Sequence, residues 1–127
     1  MNIKNILHVS VISSNIENTK AFYEGVLGLV RSSERPQMNF DGVWYELGDG
    51  QQMHILCVPN PEQGLVRPEH GGRDRHVALA VDNLAALCER LDRNGIAYTL
   101  SRSGRPALFC RDPDDNTLEF VESRNCN

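Results

Sequence analysis

Basic residues are in the minority here: 13 Lys and Arg stand against 17 Asp and Glu, a formal net charge of −4. No Lys/Arg block exceeds two adjacent residues. That balance excludes a general nucleic-acid binder and a partner of acidic membrane surfaces. Long apolar runs are missing too, so no segment is long enough to span a bilayer. Asn2, Lys4 and Asn5 interrupt any leader-like run at the start, and a soluble cytoplasmic protein is the expectation. Four cysteines occur, Cys57, Cys88, Cys110 and Cys126, and none forms a CxxC pair or lies near a histidine at finger spacing. Cys57, Cys88 and Cys110 sit inside apolar patterns, as buried thiols of a reducing compartment do. A GxSxG elbow, a P-loop and a dinucleotide fingerprint are absent, which removes three common enzyme classes.

What is present is a single-domain length, 127 residues with 40% apolar content, and a pattern that runs twice. Residues 6–12 alternate as a strand does, with Leu7, Val9 and Val11 on one face and His8, Ser10 and Ile12 on the other. Ser13-Ser14-Asn15 suits a helix cap, and Ile16, Thr19, Phe22, Tyr23, Val26 and Leu27 follow at helical spacing up to Gly28. Strands are expected over 29–32, 43–47 and 52–58, the last two joined by Gly48-Asp49-Gly50. A Pro/Gly-rich linker covers 59–73. The pattern then restarts: a strand from His76 to Val81, a helix capped by Asp82 and ended by Gly95, and strands over 96–100, 107–110 and 117–121. The expected architecture is α+β, two βαβββ modules over 1–58 and 74–122 with a loose tail at 123–127.

The duplication carries chemistry. His8 opens the first strand of one module and His76 the first strand of the other. His54 follows His8 by 46 residues, and Glu119 follows His76 by 43. Small same-face neighbours, Ser10 in one module and Ala78 and Ala80 in the other, leave room above the histidines. Ligand-type residues at matching places of a repeat suggest one metal cup built from two copies of a module.

These residues resemble the vicinal oxygen chelate superfamily, the glyoxalase/bleomycin-resistance/extradiol-dioxygenase group. The resemblance rests on Leu7–Val11 with Ala21-Phe22-Tyr23-Glu24-Gly25-Val26-Leu27-Gly28-Leu29, on Trp44–Gly50, on Arg75–Asp82, and on Phe109–Phe120 with its Asp112-Pro113-Asp114-Asp115-Asn116 turn. It implies two modules curling their sheets around a divalent metal, with His8, His76 and Glu119 at the family's usual ligand positions. It also implies a homodimer. His54 stands where glyoxalase I typically has a carboxylate, which disfavours that activity. Asp115 stands where the family usually has Gly, a turn Asp tolerates.

Imidazoles with one carboxylate form a borderline N/O site for Fe, Zn, Ni, Mn or Co. His8, His76 and Glu119 match a 2-His-1-carboxylate triad with open positions, and Glu119 doubles as the candidate catalytic base. His54 is open to three roles: a fourth ligand, a hydrogen-bond donor to substrate, or a wall of the cup. The function expected is a metal-dependent lyase, isomerase or dioxygenase-like enzyme acting on a small vicinally oxygenated molecule. Two rivals stand beside it: a metal-independent ligand-sequestering protein of the bleomycin-resistance kind, and a fosfomycin-type thiol transferase. The second needs a cationic pocket, and only Arg73 and Arg75 offer one. Arg105 and Arg111 are further candidates for an anionic ligand, Trp44 or Tyr45 for stacking, and Cys110 reads as a buried thiol. His70, in the linker, is expected to be solvated.

Overall fold

The structure, a computed structural model, describes residues 1–123, and the chain divides into two compact units, Met1–Pro61 and Glu62–Asn127. Most of the tail predicted to be loose, with Cys126, lies outside the described residues.

In the first unit the elements are β1 (His8–Ile12), α1 (Ile16–Lys20), β2 (Val30–Arg31), β3 (Asp41–Glu46) and β4 (Gln52–Cys57). The sheet order is β1-β4-β3-β2, with β1 parallel to β4 and the other pairs antiparallel. Asn15 caps α1, its side chain accepting from the Asn18 amide at 3.1 Å. Below the cap, the buried hydroxyls of Ser13 and Thr19 bond at 2.6 Å. The helix was expected to run regularly to Leu27; instead α1 widens into a π-helical turn over Ala21–Val26. The wider turn swings Phe22, Tyr23 and Val26 together into the core beside Val43, Tyr45, Met53 and Ile55. Gly28, at φ 74°, ends it in the left-handed conformation. Tyr45, fully buried, donates its hydroxyl to Glu24 Oε2 at 2.7 Å, and Arg31 Nε donates to the same oxygen at 2.8 Å. The Arg31 hydrogen bond holds the Glu24 carboxyl below the usual range against the opposing pull of desolvation.

In the second unit the elements are β5 (Val77–Val81), α2 (Leu84–Arg93), β6 (Tyr98–Leu100), β7 (Ala107–Arg111) and β8 (Thr117–Glu122). The order, β5-β8-β7-β6, repeats the first sheet with β5 parallel to β8. Leu91, Ala107, Leu108, Phe109, Leu118 and Phe120 are buried in it. Asn83, not Asp82, caps α2, accepting from the Ala86 amide at 3.0 Å. The Asp115 turn survives at φ 63° because Asp112 braces it. Asp112 Oδ1 accepts from the amides of Asp114 and Asn116 at 2.9 Å each, and Asn116 Nδ2 donates to Oδ2 at 2.8 Å.

The stretch 62–73, predicted to be linker, belongs to the second unit. Arg67 bonds Glu62 at 2.6 Å and Asp74 at 3.4 Å, and Arg111 Nη2 donates to the Pro68 carbonyl at 2.7 Å. His70 is correspondingly half-buried rather than solvated. Its Nδ1 accepts from the Gly72 amide at 3.0 Å and its ring lies 5.3 Å from that of Phe109. Among the described residues no helix is long and apolar enough to cross a membrane.

Candidate functional site

The two sheets place different side chains at one register position. In the first, Ser10 of β1 and Trp44 of β3 flank His54 of β4. In the second, Ala78 of β5 and Phe109 of β7 flank Glu119 of β8. His8 and His76 each lie two residues upstream of the small residue on their strand line. Each histidine thus comes beside its unit's second candidate.

In the first unit His54 is sandwiched. The His8 ring lies 4.0 Å away at 14°, and the Trp44 ring lies 3.8 Å away on another strand at 3°. The ring is buried, 8% exposed, and desolvation first and then the neighbouring His8 push its pKa below the ordinary histidine value. His54 Nε2 lies 2.9 Å from Gln52 Oε1. The Gln52 amide nitrogen donates to Glu34 at 2.8 Å, so its oxygen is the atom facing His54, and His54 Nε2 carries the hydrogen. That commits one of the two His54 nitrogens to Gln52. Stacked rings also point their in-plane lone pairs side by side, so His8 and His54 as they stand do not converge on one point.

The second unit holds a different pair. His76 Nδ1 lies 2.8 Å from the Asp74 carbonyl, which can only accept, so Nδ1 carries the hydrogen. The other nitrogen, Nε2, lies 3.2 Å from Glu119 Oε1. In a neutral ring that nitrogen is a lone pair, and it faces a carboxylate oxygen, another acceptor. The arrangement asks for a cation or a proton between the two atoms. Such a fixed tautomer, with Nδ1–H on a carbonyl and Nε2 presented, is how metal-binding histidines are oriented. The 3.2 Å spacing lies within reach of two donors each about 2.1 Å from one ion. The Glu119 side chain is 5% exposed, and its other oxygen takes Arg105 Nη2 at 3.2 Å. The Phe109 ring stands edge-on to His76 at 5.2 Å.

Asp74 sets this pair and was not singled out from the sequence, where an Asp in a polar stretch carries no signal. Its carboxylate, 9% exposed, accepts from Arg111 Nη1 at 2.8 Å, Thr117 Oγ1 at 3.2 Å and the Arg75 amide at 2.9 Å. Burial alone raises a carboxyl, yet these bonds and the Arg67 charge carry Asp74 below its usual value. Arg111 is therefore a structural clamp, and the open stretch it faces is tied down.

The remaining candidates separate clearly. Trp44 turns to the His54 face and Tyr45 to the core, as their alternation requires. Cys110 is buried, and desolvation with the nearby Asp112 pushes its thiol up to about 12, which removes it as a nucleophile. It lines a cavity of about 300 Å³ with Tyr98, Phe109, Arg111 and Thr117. Among the described residues, no three His, Cys, Asp or Glu side chains are gathered closely enough to hold a metal ion. The structure brings together His8 with His54 and His76 with Glu119.

Twin β1-β4-β3-β2 sheets with a histidine at the head of each and an acid or imidazole on the last strand define a class of duplicated βαβββ proteins. The chain belongs to the Glyoxalase/Bleomycin resistance protein/Dioxygenase superfamily, whose profile matches residues 5–120. The lactoylglutathione lyase of Salmonella typhimurium is 28% identical over 129 residues, covering 94% of this chain and 93% of that protein. A solved glyoxalase-family protein from Bacillus anthracis has a TM-score of 0.72 at 24% identity, over 97% of this chain and 98% of that one. TnmS3, an antibiotic binding protein from Streptomyces sp. CB03234, has a TM-score of 0.69 at 21% identity, over 96% and 98%. These two likenesses establish the fold.

Proposed function

We propose that the chain is a metal-dependent enzyme of the lyase, isomerase or dioxygenase-like kind, acting on a small vicinally oxygenated organic molecule. The observation that carries this reading is the His76–Glu119 pair, in which a histidine with its tautomer fixed by the Asp74 carbonyl presents Nε2 to a buried carboxylate. His8, His76 and Glu119 are the proposed protein ligands. His54, bonded to Gln52 through Nε2, serves as the wall against which the His8 ring rests rather than as a fourth ligand. A divalent ion of the Fe, Zn, Ni, Mn or Co group, when bound, supplies a Lewis acid for two neighbouring substrate oxygens. Glu119 is the proposed proton carrier, being the carboxylate of the pair. His76 keeps its ring orientation through Asp74. Trp44 stacked on His54 helps keep that ring from water, and Phe109 stands edge-on beside His76, which stays open to solvent.

The proposal carries with it a homodimer, as the resemblance implies, and a cytoplasmic location, as the cysteine pattern suggests. His54 in place of a carboxylate sets the chain apart from glyoxalase I chemistry, although lactoylglutathione lyase is among its relatives. One observation favours a second reading, a metal-free binding protein: the stack on His54 is complete without any ion.

Elemental analysis after loading with Fe²⁺, Zn²⁺, Ni²⁺, Mn²⁺ or Co²⁺ separates the two. About one equivalent per chain, lost at least tenfold in affinity in His76→Ala and Glu119→Gln, is the expected result, ligand and supporting groups each mattering at that scale. No stoichiometric uptake by the wild-type protein overturns the enzyme reading and leaves the binding protein. Uptake unchanged in His76→Ala overturns the ligand assignment.

A further inference from the structure

Arg105 is unusual in its placement. Its side chain is 60% exposed, yet its Nη2 reaches a carboxylate that is 5% exposed, 3.2 Å away on Glu119. Among the described residues its only other side-chain bond is a long one, Nε to Ser103 Oγ at 3.4 Å. The residue rides on the turn between β6 and β7, which is tied mostly to itself. Ser101 and Ser103 hydroxyls bond at 2.8 Å, Ser103 Oγ accepts from the Arg105 amide at 3.3 Å, and Gly104 bends at φ 85°. The turn closes at its base through the Ser101 amide on the Ala107 carbonyl at 2.9 Å. Among the described residues, Glu119 alone ties the guanidinium to the sheet.

A buried carboxylate needs a compensating charge. As the protein stands, Arg105 supplies it to Oε2. A divalent cation on Glu119 supplies it instead, and two cations on one carboxylate repel. The guanidinium is then left beside the site with its planar fork turned to solvent. That fork matches a carboxylate in two-point geometry.

Resting on the metal reading above, we propose that Arg105 is the specificity-determining residue of this site and selects a substrate carrying a carboxylate next to an oxygenated carbon, a 2-hydroxy or 2-oxo acid. Arg105 leaves Glu119 when the cation arrives and receives the acid group. It acts on the substrate and does not hold the metal.

The test uses Mn²⁺-loaded protein and water-proton relaxation, with lactate as the acidic probe and catechol as a vicinal-oxygen probe lacking a carboxylate. In Arg105→Gln the lactate affinity falls about tenfold, the catechol affinity stays within twofold, and Mn²⁺ affinity is unchanged or tighter. Arg105→Lys, which keeps the charge and loses the fork, gives an intermediate lactate loss. Equal changes for both probes, or a lactate change under twofold, overturn the proposal. A tenfold fall in Mn²⁺ affinity also overturns it, because Arg105 is then a support for Glu119. Failure of the wild-type protein to take up Mn²⁺ or any other tested ion sinks the enzyme reading together with this one. Metal uptake without anion discrimination sinks this one alone.

Discussion

Removing the Asp74 carboxylate tests most directly how the second unit holds its candidate pair. In Asp74→Ala, Arg111 loses its 2.8 Å partner and Thr117 Oγ1 its 3.2 Å acceptor, while Arg67 loses its weaker 3.4 Å contact. Hydrogen bonds to a charged group contribute about 1.5–3 kcal/mol each when buried. Arg111 is 23% exposed and keeps the Pro68 and Asp115 carbonyls, so part of its bond is recovered from water and neighbours. The expected net loss is about 2–3 kcal/mol, the Thr117 bond to the carboxylate plus the part of the Arg111 bond that is not recovered. Urea denaturation followed by far-ultraviolet circular dichroism reads it as a lower midpoint at unchanged slope. The loss depends on pH with a definite sign. Asp74 is held below its unfolded value, so its contribution is present above the unfolded carboxyl value and disappears as pH falls through the lower folded one. Wild type and Asp74→Ala therefore converge in stability in acid. A loss below 0.5 kcal/mol at neutral pH, on the scale of an ordinary surface change, or a gap that widens on acidification, refutes the reasoning.

Further outcomes follow from other contacts. Gly71→Ala brings a new Cβ within 2.8 Å of Thr117 Cγ2 and 2.9 Å of Phe109 Cβ, both on strands that give little. A destabilisation of about 1–3 kcal/mol is expected for such overpacking, read by thermal unfolding, whereas Gly25→Ala, with open space around it, leaves the melting temperature within the scatter. Tyr45→Phe removes the 2.7 Å bond to the Glu24 carboxylate and costs about 1.5 kcal/mol, the low end for a bond to a charged group because Arg31 stays on the same oxygen, measured by urea midpoint. His54 has a depressed pKa, so its share of stability is complete above the unfolded histidine value and is lost as pH falls through the folded one. His54→Gln flattens that part of the pH–stability curve, and Trp44→Ala, by exposing the ring, moves the His54 titration seen by NMR back toward the ordinary value.

Much of the fold was legible because both modules use local signals the chain states plainly. The β-α-β-β-β order, the Gly28 and Gly95 stops and the Asp112–Asn116 turn all come from short-range chemistry. The register equivalence of His54 and Glu119 was legible from spacing, since a repeated module carries its strand pairing with it. The π-helical turn was not, because it arises from packing Phe22, Tyr23 and Val26 against one sheet, not from propensity. Residues 62–73 misled because Pro and Gly mark turns without saying whether charged side chains tie those turns down. Arg67 and Arg111 do so through Asp74, a long-range arrangement. The stack on His54 was equally hidden, since it needs three strands side by side before His8 and Trp44 become its neighbours.

The parallel pairing of first and last strands also sets an order of assembly. His8 pairs across to Gln52, and Val77 to Leu118, so each sheet is closed by a link spanning more than forty residues. Closing a longer loop costs more chain entropy, and contacts distant in sequence slow folding. The hairpins β3–β4 and β7–β8 are the cheap early contacts, and the strands headed by the two histidines dock onto finished edges afterwards. On a ribosome, the His76–Glu119 pair has to wait until β8 has emerged, so the second unit gains its chemistry only at the last step of its own folding.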